Sequence, residues 1–213
     1  MSRTSPPKPG SPPTSSLRLV VDWDGTITVQ DSLVQVIHEF GDPALLAQLE
    51  PRVGVDLTLH EEIALEFRAI RAPLDEVVAW VVEHVEVRDG LHELAELEPL
   101  VISAGFHELI EPVLEREGVR LEVLANRVEA RPDGWRARFR DESACATCGE
   151  PCKRASLTGE PYVYAGDGYS DRCAALAADR VFARDGLARH LDGLGVAYEP
   201  FDDLHDVVAA LAK

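Results

Sequence analysis

The sequence predicts an α/β fold in which a parallel sheet carries helices on both faces, with a small antiparallel hairpin and an inserted all-helical segment. Three observations predict it. Short apolar, β-branched runs alternate along the chain with helical patterns, as they do in parallel sheets. Residues 31–86 show helical periodicity alone. A turn signal at residues 131–134 separates two short strand-like segments.

Length and charge limit the possible functions. The chain has 213 residues and a formal net charge of −17. A surface this negative repels phosphate backbones and anionic lipids, so we expect neither nucleic acid nor membrane as a partner. No apolar run approaches the roughly 20 residues of a membrane helix, and the first residues lack the apolar core of a signal peptide. We therefore expect a cytoplasmic protein that binds a small molecule, as a monomer or a homodimer.

Four apolar runs are the candidate strands of the sheet. Residues 1–16 precede them and are rich in Pro, Ser and Gly, so we expect a flexible tail there and a fold that begins at Leu17. Each run is short and mostly apolar, which fits a strand that is covered on both faces. The runs are residues 17–21, 99–102, 162–165 and 180–183.

Residues 31–86 are predicted to form four helices. Each begins with a recognisable start signal, such as an N-cap, a proline at the first helical position or a capping box. In chain order these signals are Asp31, Asp42-Pro43, Thr58 with Glu61, and Pro73.

The second half of the chain departs from this pattern twice. Residues 123–128 and 135–139 flank Arg131-Pro132-Asp133-Gly134, which predicts an antiparallel hairpin. Residues 203–213 carry an apolar stripe and predict a closing helix.

Two carboxylates follow the first predicted strand directly, in the stretch Asp22-Trp23-Asp24-Gly25-Thr26. Side chains separated by one position lie on the same side of an extended chain. A turn at Gly25 would bring both to the carboxyl end of the sheet, where open α/β folds bind ligands. Asp-Gly is also a common turn pair, so this stretch alone leaves a plain turn open as the alternative.

Three further stretches place polar groups at the same predicted edge. Gly166-Asp167-Gly168-Tyr169-Ser170-Asp171 follows the third strand run, and its glycines let the backbone approach a ligand. Ser103-Ala104-Gly105 follows the second run and precedes a helix, whose N-terminus would favour an anion. Lys153 follows the hairpin and precedes an apolar helical run with Leu157.

Together these groups predict phosphoryl transfer. Hard oxygen ligands suit Mg²⁺, which keeps several waters and engages substrate phosphate. Ser103, a helix N-terminus and Lys153 would supply donors for phosphate oxygens. Without a cation, four carboxylates at one edge would repel one another strongly: Asp22, Asp24, Asp167 and Asp171.

The arrangement resembles the haloacid dehalogenase superfamily over nearly the whole folded chain. Its first motif, DxDGT, matches residues 22–26, and its fourth matches residues 166–171. Ser103 and Lys153 match the second and third motifs. The resemblance implies a Rossmann-like core and a phosphatase of subclass IB with a helical cap. The dehalogenating members generally lack an acid two residues after the nucleophile, whereas this chain has Asp24.

The resemblance also implies roles for the acidic residues. Asp22 would be the nucleophile that forms an aspartyl-phosphate, and Asp24 the general acid and then the base. Mg²⁺ would lie between the Asp22 carboxylate, the Asp24 carbonyl and Asp167. Asp171 would support the waters of the metal or Lys153.

By the same resemblance, the phosphate would be bound by Thr26, Ser103, Ala104 and Lys153, and Lys153 would also hold the nucleophile. Phosphoserine phosphatases usually show Ser-Gly-Gly in the second motif, while this chain has Ser103-Ala104-Gly105. Alanine keeps the N–H donor but restricts the backbone, so we expect the contact to survive if Ala104 has a negative φ.

The position of the helical insertion predicts a cap domain. Family members carry such an insert between the first and second motifs, and it closes over the site and reads the leaving group. We therefore expect residues 30–87 to form the cap, and residues 17–29 and 88–213 to form the core.

Within this cap, Asp31 lies 31 − 22 = 9 residues after Asp22, similar to an acid of phosphoserine phosphatases. It could face a substrate amine or hydroxyl, or it could only cap its helix. Arg68 and Arg71 are candidates for a substrate carboxylate, or for a solvated helix face.

Three of the four cysteines cluster directly before Lys153: Cys145, Cys148 and Cys152. Thiolates at this spacing could hold Zn²⁺ if Cys173 or a histidine completes the set. Alternatively, they are reduced thiols that position the Lys153 segment. A Cys-rich segment at this place is similar to the methionine-salvage phosphatases and to the phosphocholine and phosphoethanolamine phosphatases of the superfamily.

The sequence therefore predicts a magnesium-dependent phosphatase of a small phosphomonoester. The first candidate substrate is 2-hydroxy-3-keto-5-methylthiopentenyl-1-phosphate, and the alternatives are phosphoserine and phosphocholine or phosphoethanolamine. A phosphate-binding protein without turnover is the rival of a different class. Asp24 argues against it, because a binding module has no use for an acid at that position.

Overall fold

A computed structural model describes residues 17–140, 142–157 and 159–212. The predicted tail at residues 1–16 lies outside the described residues. The strands are β1 (Arg18–Val21), β2 (Leu100–Phe106), β3 (Glu122–Glu129), β4 (Arg136–Arg138), β5 (Tyr162–Gly166), β6 (Arg180–Ala183) and β7 (Glu199–Pro200). The helices are α1 (Ser32–Phe40), α2 (Pro43–Leu49), α3 (Leu59–Phe67), α4 (Leu74–His84), α5 (Leu91–Ala95), α6 (His107–Arg116), α7 (Arg172–Ala175), α8 (Asp185–Leu194) and α9 (Leu204–Leu211).

The strands form one sheet in the order β4-β3-β2-β1-β5-β6-β7. Neighbours pair parallel except β3 and β4, which pair antiparallel as the turn signal predicts. Alternate residues of β1 point to opposite faces: Val21 joins one buried apolar cluster and Val20 joins the other. The predicted α/β fold, with helices packed on both faces of the sheet, is confirmed.

The central position of β1 determines where a site can form. β1 lies between β2 on one side and β5 on the other, so the chain crosses the sheet in opposite directions from this strand. The carboxyl ends at such a switch point leave a crevice for ligands. The segments that follow β1 and β5 carry the first and fourth groups of candidate residues.

The segment between β1 and β2 contains α1, α2, α3 and α4, and its described residues form no strand. The start signals act as predicted: the Asp31 carboxylate accepts a hydrogen bond from the N–H of Val34 at 3.0 Å, and Thr58 with Glu61 forms a complete capping box. The predicted division of the chain at residues 30 and 87 stays a prediction.

The two connections to this helical segment run side by side. Val29 N–H donates to the Glu86 carbonyl at 2.9 Å, and Arg88 N–H donates to the Ile27 carbonyl at 2.8 Å. The Arg88 guanidinium also donates to the carbonyl oxygens of Gly25 and Thr26, both at 3.0 Å. The start and end of the segment are thus tied to the turn that follows β1.

Two local predictions are corrected. β2 continues through Ser103-Ala104-Gly105 to Phe106, and α6 begins only at His107, so no helix N-terminus lies at Ser103. The strand continues because fully buried Phe106 still pairs with Asn126 on β3, after a register shift. Lys153 begins a single 3₁₀ turn that ends at Ser156, before the predicted apolar run. The helix α5 and the strand β7 were not predicted, because elements this short show no periodicity.

Candidate active site

A glycine turn sets the geometry of the first two acids. Asp24 has φ −70° and ψ 126°, and Gly25 has φ 72° and ψ −12°, which are the angles of a type II turn. The positive φ favours glycine. A Cβ at Gly25 would also lie 2.7 Å from Cγ of Asp167. The turn therefore both orients Asp24 and leaves room for a carboxylate from the neighbouring strand end.

Asp22 is buried and paired with a lysine. Its side chain contacts Nζ of Lys153 at 2.5 Å and accepts a hydrogen bond from the N–H of Trp23 at 2.6 Å. Burial, followed by the nearby charge of Asp171, raises the pKa of Asp22, while Lys153 opposes that rise. The structure thus places a carboxylate oxygen of Asp22 beside a buried, fixed cation.

Asp24 is held by hydroxyl and amide donors. The hydroxyl of Ser32 and its N–H, at 3.0 Å, donate to Oδ1, and the Ser103 hydroxyl lies 3.3 Å from Oδ2. Burial raises the pKa of Asp24 to about 7, and the charge of Asp31 adds to the rise. Ser32 was missed by sequence reasoning, although it directly follows the helix cap Asp31.

Both oxygens of Asp171 are fully used by the protein. Oδ1 accepts from Nζ of Lys153 at 2.7 Å and from the Tyr164 hydroxyl at 2.6 Å. Oδ2 accepts from the N–H groups of Asp167 and Gly168 at 2.9 and 2.8 Å. Burial alone would raise the pKa of Asp171, but Lys153 and these donors hold it below its ordinary value. Asp171 therefore positions Lys153 and the backbone of the fourth stretch.

Asp167 is oriented by Thr26, whose hydroxyl donates a hydrogen bond to Oδ1 of Asp167 at 2.9 Å. Burial, with the charge of Asp171 next, raises the pKa of Asp167 to about 7. Thr26 is completely buried, and its hydroxyl orients Asp167. The phosphate contact that the family resemblance implied for Thr26 stays a prediction.

The acids offer a fitting set for a divalent cation. Asp22, Asp167 and Asp171 each present a carboxylate oxygen within 4.8 Å of the others. Burial, with the charge of Asp171 next, raises the pKa of both Asp22 and Asp167, so a nearby cation would favour their charged forms. Hard oxygen donors that carry negative charge are what Mg²⁺ binds. Since Asp171 is saturated, Asp22 and Asp167 are the side chains available as direct ligands.

Three of the predicted phosphate-binding residues line one cavity. Ser103, Ala104 and Lys153 line a cavity of about 310 Å³. Ser103 and Lys153 are buried, and the Ser103 hydroxyl accepts from the N–H of Gly105 at 2.8 Å. Asn126 fixes the strand here by donating to the Ala104 carbonyl at 2.7 Å.

A neighbouring cavity of about 460 Å³ joins the acids to the helical insertion. Asp22, Asp24 and Asp167 form its floor, and Ala104 lines both cavities. The apolar side chains of the insertion that line it are Leu33, Val34, Ile37, Leu46, Val53, Leu59 and Ile63. The insertion therefore faces the candidate reaction centre directly.

Acidic side chains of the insertion also line this cavity. Glu66 is 4% exposed, and its Oε1 has no hydrogen-bond partner. Burial, followed by the charge of Glu62, raises the pKa of Glu66 to about 8, and burial likewise raises that of Glu62 to about 7. Sequence reasoning missed both, although their spacing of four places them on one face of α3 beside buried Ile63 and Phe67.

The other residues predicted in the insertion divide into two groups. Asp31 caps α1 and also lines the cavity, and its contact with a substrate stays a prediction. Arg71 donates to the carbonyl oxygens of Arg68 and Ile70, and neither arginine is among the described residues that line the cavity. Whether Arg68 and Arg71 bind a substrate carboxylate or form a solvated helix face stays a prediction.

The structure brings the fourth cysteine to the predicted cluster. Cys173, at the start of α7, joins Cys145, Cys148 and Cys152, with all four sulfur atoms within 4.8 Å of one another. All four are free thiols.

The fold and the four stretches that carry the candidate residues together identify the class of protein, a hydrolase. Residues 19–176 match the haloacid dehalogenase-like hydrolases, and because this is well over half of the chain, the protein belongs to that family. The resemblance predicted from the motifs is confirmed. Among the described residues, no helix is long and apolar enough to span a membrane.

Two similar curated proteins are named 2-hydroxy-3-keto-5-methylthiopentenyl-1-phosphate phosphatase. The one from Bacillus mycoides (strain KBAB4) is 28% identical over 211 residues, which cover 92% of this chain and 96% of the relative. The one from Bacillus cereus (strain B4264) is 27% identical over 210 residues, with the same coverage. Family membership and these named relatives support a phosphoric monoester hydrolase.

Solved phosphoserine phosphatases share the fold. A substrate-bound phosphoserine phosphatase complex aligns with a TM-score of 0.68 at 15% identity, covering 92% of this chain and 99% of its own. A phosphoserine phosphatase from T. onnurineus aligns with a TM-score of 0.65 at 21% identity, covering 95% and 98%. At these identities the likeness supports the architecture alone.

Proposed function

We propose that this chain is a magnesium-dependent phosphomonoester phosphatase that works through an aspartyl-phosphate on Asp22. The observation that carries the proposal is that two buried acids on one turn have different neighbouring side chains. Asp22 touches Lys153, which favours its ionised, nucleophilic form. Asp24 is held by Ser32 and has a pKa of about 7, so it can both donate and accept a proton near neutral pH.

The reaction then has two steps. A carboxylate oxygen of Asp22 attacks phosphorus, and the bond from phosphorus to the leaving oxygen breaks as the Asp24 carboxyl gives that oxygen its proton. Next, water attacks the phosphorus of the aspartyl-phosphate while the Asp24 carboxylate accepts a proton from it. The bond to Asp22 breaks, which releases inorganic phosphate and restores both acids. Lys153, Ser103 and the N–H of Ala104 are the proposed donors to the phosphate oxygens.

Asp22, Asp167 and the Asp24 carbonyl are the proposed ligands of Mg²⁺, which supplies positive charge against the phosphate when it is bound. Thr26 orients Asp167 through its 2.9 Å hydrogen bond. Asp171 holds Lys153, as its saturated oxygens indicate.

Residues 30–87 are the proposed cap, and residues 17–29 and 88–213 the proposed core. The cavity supports this division, because residues from both parts line it together. Closure of the cap would exclude water and select the leaving group. We also propose the cytoplasm as the compartment, since a reducing environment keeps four neighbouring thiols free.

The first candidate substrate is 2-hydroxy-3-keto-5-methylthiopentenyl-1-phosphate, the ester in the names of the similar Bacillus proteins. The apolar lining of the cap cavity suits its methylthio chain, because apolar surfaces associate in water.

A second candidate, a phosphorylated amino alcohol such as phosphocholine or phosphoethanolamine, is favoured by one observation. Buried Glu66 lines the same cavity and its Oε1 has no hydrogen-bond partner, so a cationic leaving group bound there would pair with it. Phosphoserine stays a further candidate: Arg68 and Arg71 do not line the cavity, but Arg172 does.

The activity is tested with an aryl phosphate and purified protein. Asp22→Asn should abolish phosphate release, and the matched control Asp42→Asn, at an exposed helix cap that does not line the cavity, should retain it. EDTA should stop the wild-type reaction and added Mg²⁺ should restore it. Near wild-type turnover by Asp22→Asn, or full activity in EDTA, would reject the proposed mechanism.

The substrate is tested by comparing kcat/KM for the three classes of ester. Glu66→Gln separates the two candidates. A cationic leaving group would favour loss of the proton from Glu66, whose pKa is about 8 without substrate, and would pair with the resulting carboxylate. Gln cannot ionise, so for this leaving group kcat/KM should fall about tenfold, the equivalent of roughly 1.4 kcal/mol. For the methylthio ester and for an aryl phosphate, the same variant should leave kcat/KM within about twofold, because neither carries a positive charge.

A further inference from the structure

We propose that Cys145, Cys148, Cys152 and Cys173 form a structural zinc site, separate from the carboxylate centre. All four sulfur atoms lie within 4.8 Å of one another, and those of Cys145 and Cys173 are 3.9 Å apart. Zn²⁺ with four thiolates at about 2.3 Å requires tetrahedral sulfur separations of about 3.8 Å. The sulfur atoms are thus close to the spacing that zinc requires, and no disulfide joins any of them.

Hydrogen bonds within the loop fix the positions of Cys145 and Cys148. Cys145 N–H donates to the Glu150 carbonyl at 2.9 Å, and Gly149 N–H donates to the Cys145 carbonyl at 2.8 Å. Gly149 has φ +79°, which lets the chain reverse directly after Cys148. The N–H of Thr147 points at Sγ of Cys145 at 3.4 Å. A donor aimed at sulfur favours the thiolate form that a metal binds.

The surrounding chain gives a second, independent reason for a metal. Between the end of β4 at Arg138 and Lys153, the described residues form neither helix nor strand. A connection of this length without regular structure is uncommon inside a compact domain. This one ends at Lys153, a buried side chain whose position must be fixed to hold Asp22 and Asp171. A metal held by three cysteines of the loop and one outside it would supply the missing restraint.

The site would act by joining two segments of the candidate active site. Cys152 directly precedes Lys153, and Cys173 lies two residues after Asp171. The Lys153–Asp171 ion pair at 2.7 Å joins the same two segments. With four protein ligands the zinc coordination is closed, so the ion would position Lys153 and take no part in the chemistry. Binding replaces the thiol protons by one Zn²⁺, and the protons leave to solvent.

The test measures metal in the full chain, purified without chelators. We expect one zinc ion per chain by inductively coupled plasma mass spectrometry, and its release by a thiol-blocking mercurial in the presence of a zinc indicator dye. Cys148→Ser should lose most of the zinc, show a lower Tm and give a reduced kcat. Thr147→Ser, which keeps all four sulfur atoms, should retain the zinc. Asp22→Asn should also retain it while losing activity, so failure of the zinc proposal and failure of the proposed phosphatase are distinguishable.

A second measurement uses wild-type protein, so it does not depend on whether the variants fold. Wild-type protein loaded with Co²⁺ in place of zinc should show the visible and near-ultraviolet absorption of tetrahedral cobalt thiolate. Metal-free protein with four thiols that react freely would overturn the proposal, and so would bound iron or disulfides among these cysteines. Cobalt spectra without thiolate bands would overturn it as well.

Discussion

Replacing Glu66 by Gln should change how the stability of the protein depends on pH. In the folded protein, burial raises the pKa of Glu66 from 4.5 to about 8, and its Oε1 has no partner. Between these two values the folded form keeps a proton that the unfolded form has lost. Stability from this group is therefore fully present below about pH 4.5 and is lost as the pH rises to about 8. Gln at this position has no proton to lose.

The size of this pH effect on the unfolding free energy follows from the one proton that Glu66 keeps in the folded protein. Each pH unit within this window is worth about 1.4 kcal/mol, so the unfolding free energies of wild type and Glu66→Gln should diverge by up to ~2.7 kcal/mol between pH 5.5 and 7.5. Water in the adjoining cavity screens the charge, so we expect at least about half of this value.

Urea unfolding at both pH values, followed by circular dichroism, measures the difference. Glu66→Gln should gain stability relative to wild type at pH 7.5. Glu83→Gln, which removes an exposed carboxylate from α4, is the matched control. A difference between Glu66→Gln and wild type that is equal at the two pH values would refute the reasoning.

Three other substitutions test the site. Lys153→Met should lower the free energy of unfolding by about 3–5 kcal/mol in urea at pH 7, because two buried carboxylates lose their cation; a loss below about 1 kcal/mol would contradict the buried ion pairs. Gly25→Ala should destabilise by at least about 1–2 kcal/mol in the same assay, because alanine resists a φ of 72°, and wild-type stability would contradict the turn. Thr26→Val should raise the Mg²⁺ concentration for half-maximal activity about 10-fold, because Asp167 loses the hydroxyl that orients it; an unchanged Mg²⁺ requirement would argue against that role.

The sequence was sufficient for the sheet and for the acids at its edge. Asp22 and Asp167 each follow a run of buried apolar residues, and strand ends in a parallel sheet meet by necessity. Their convergence in the structure follows from that rule. The helix caps were equally readable, because Asp31 and Thr58 act on atoms within three residues of themselves.

Contacts between distant segments could not be predicted. Glu66 looks like one acid of a charged helix, and only the docking of α3 over Asp22 turns it into a buried group facing a cavity. Ser103 was placed after a strand because the local pattern ends at Ile102, whereas burial of Phe106 extends β2 past it. The hydrogen bond from Thr26 to Asp167 could not be predicted either, because the two residues lie 141 positions apart in the chain.

The paired entry and exit of the helical segment at Val29 and Arg88 make it a natural graft point. The first and last residues of the segment are hydrogen-bonded neighbours, so its two ends lie close together. The segment can therefore be exchanged without moving the strands on either side. Arg88 complicates such an exchange, since its guanidinium braces the Gly25 and Thr26 carbonyls of the reacting turn. A chimera that carries the helices of another protein should therefore retain Arg88. The exchanged helices would then alter substrate preference, while the hydrogen bonds from Arg88 to the turn after β1 are kept.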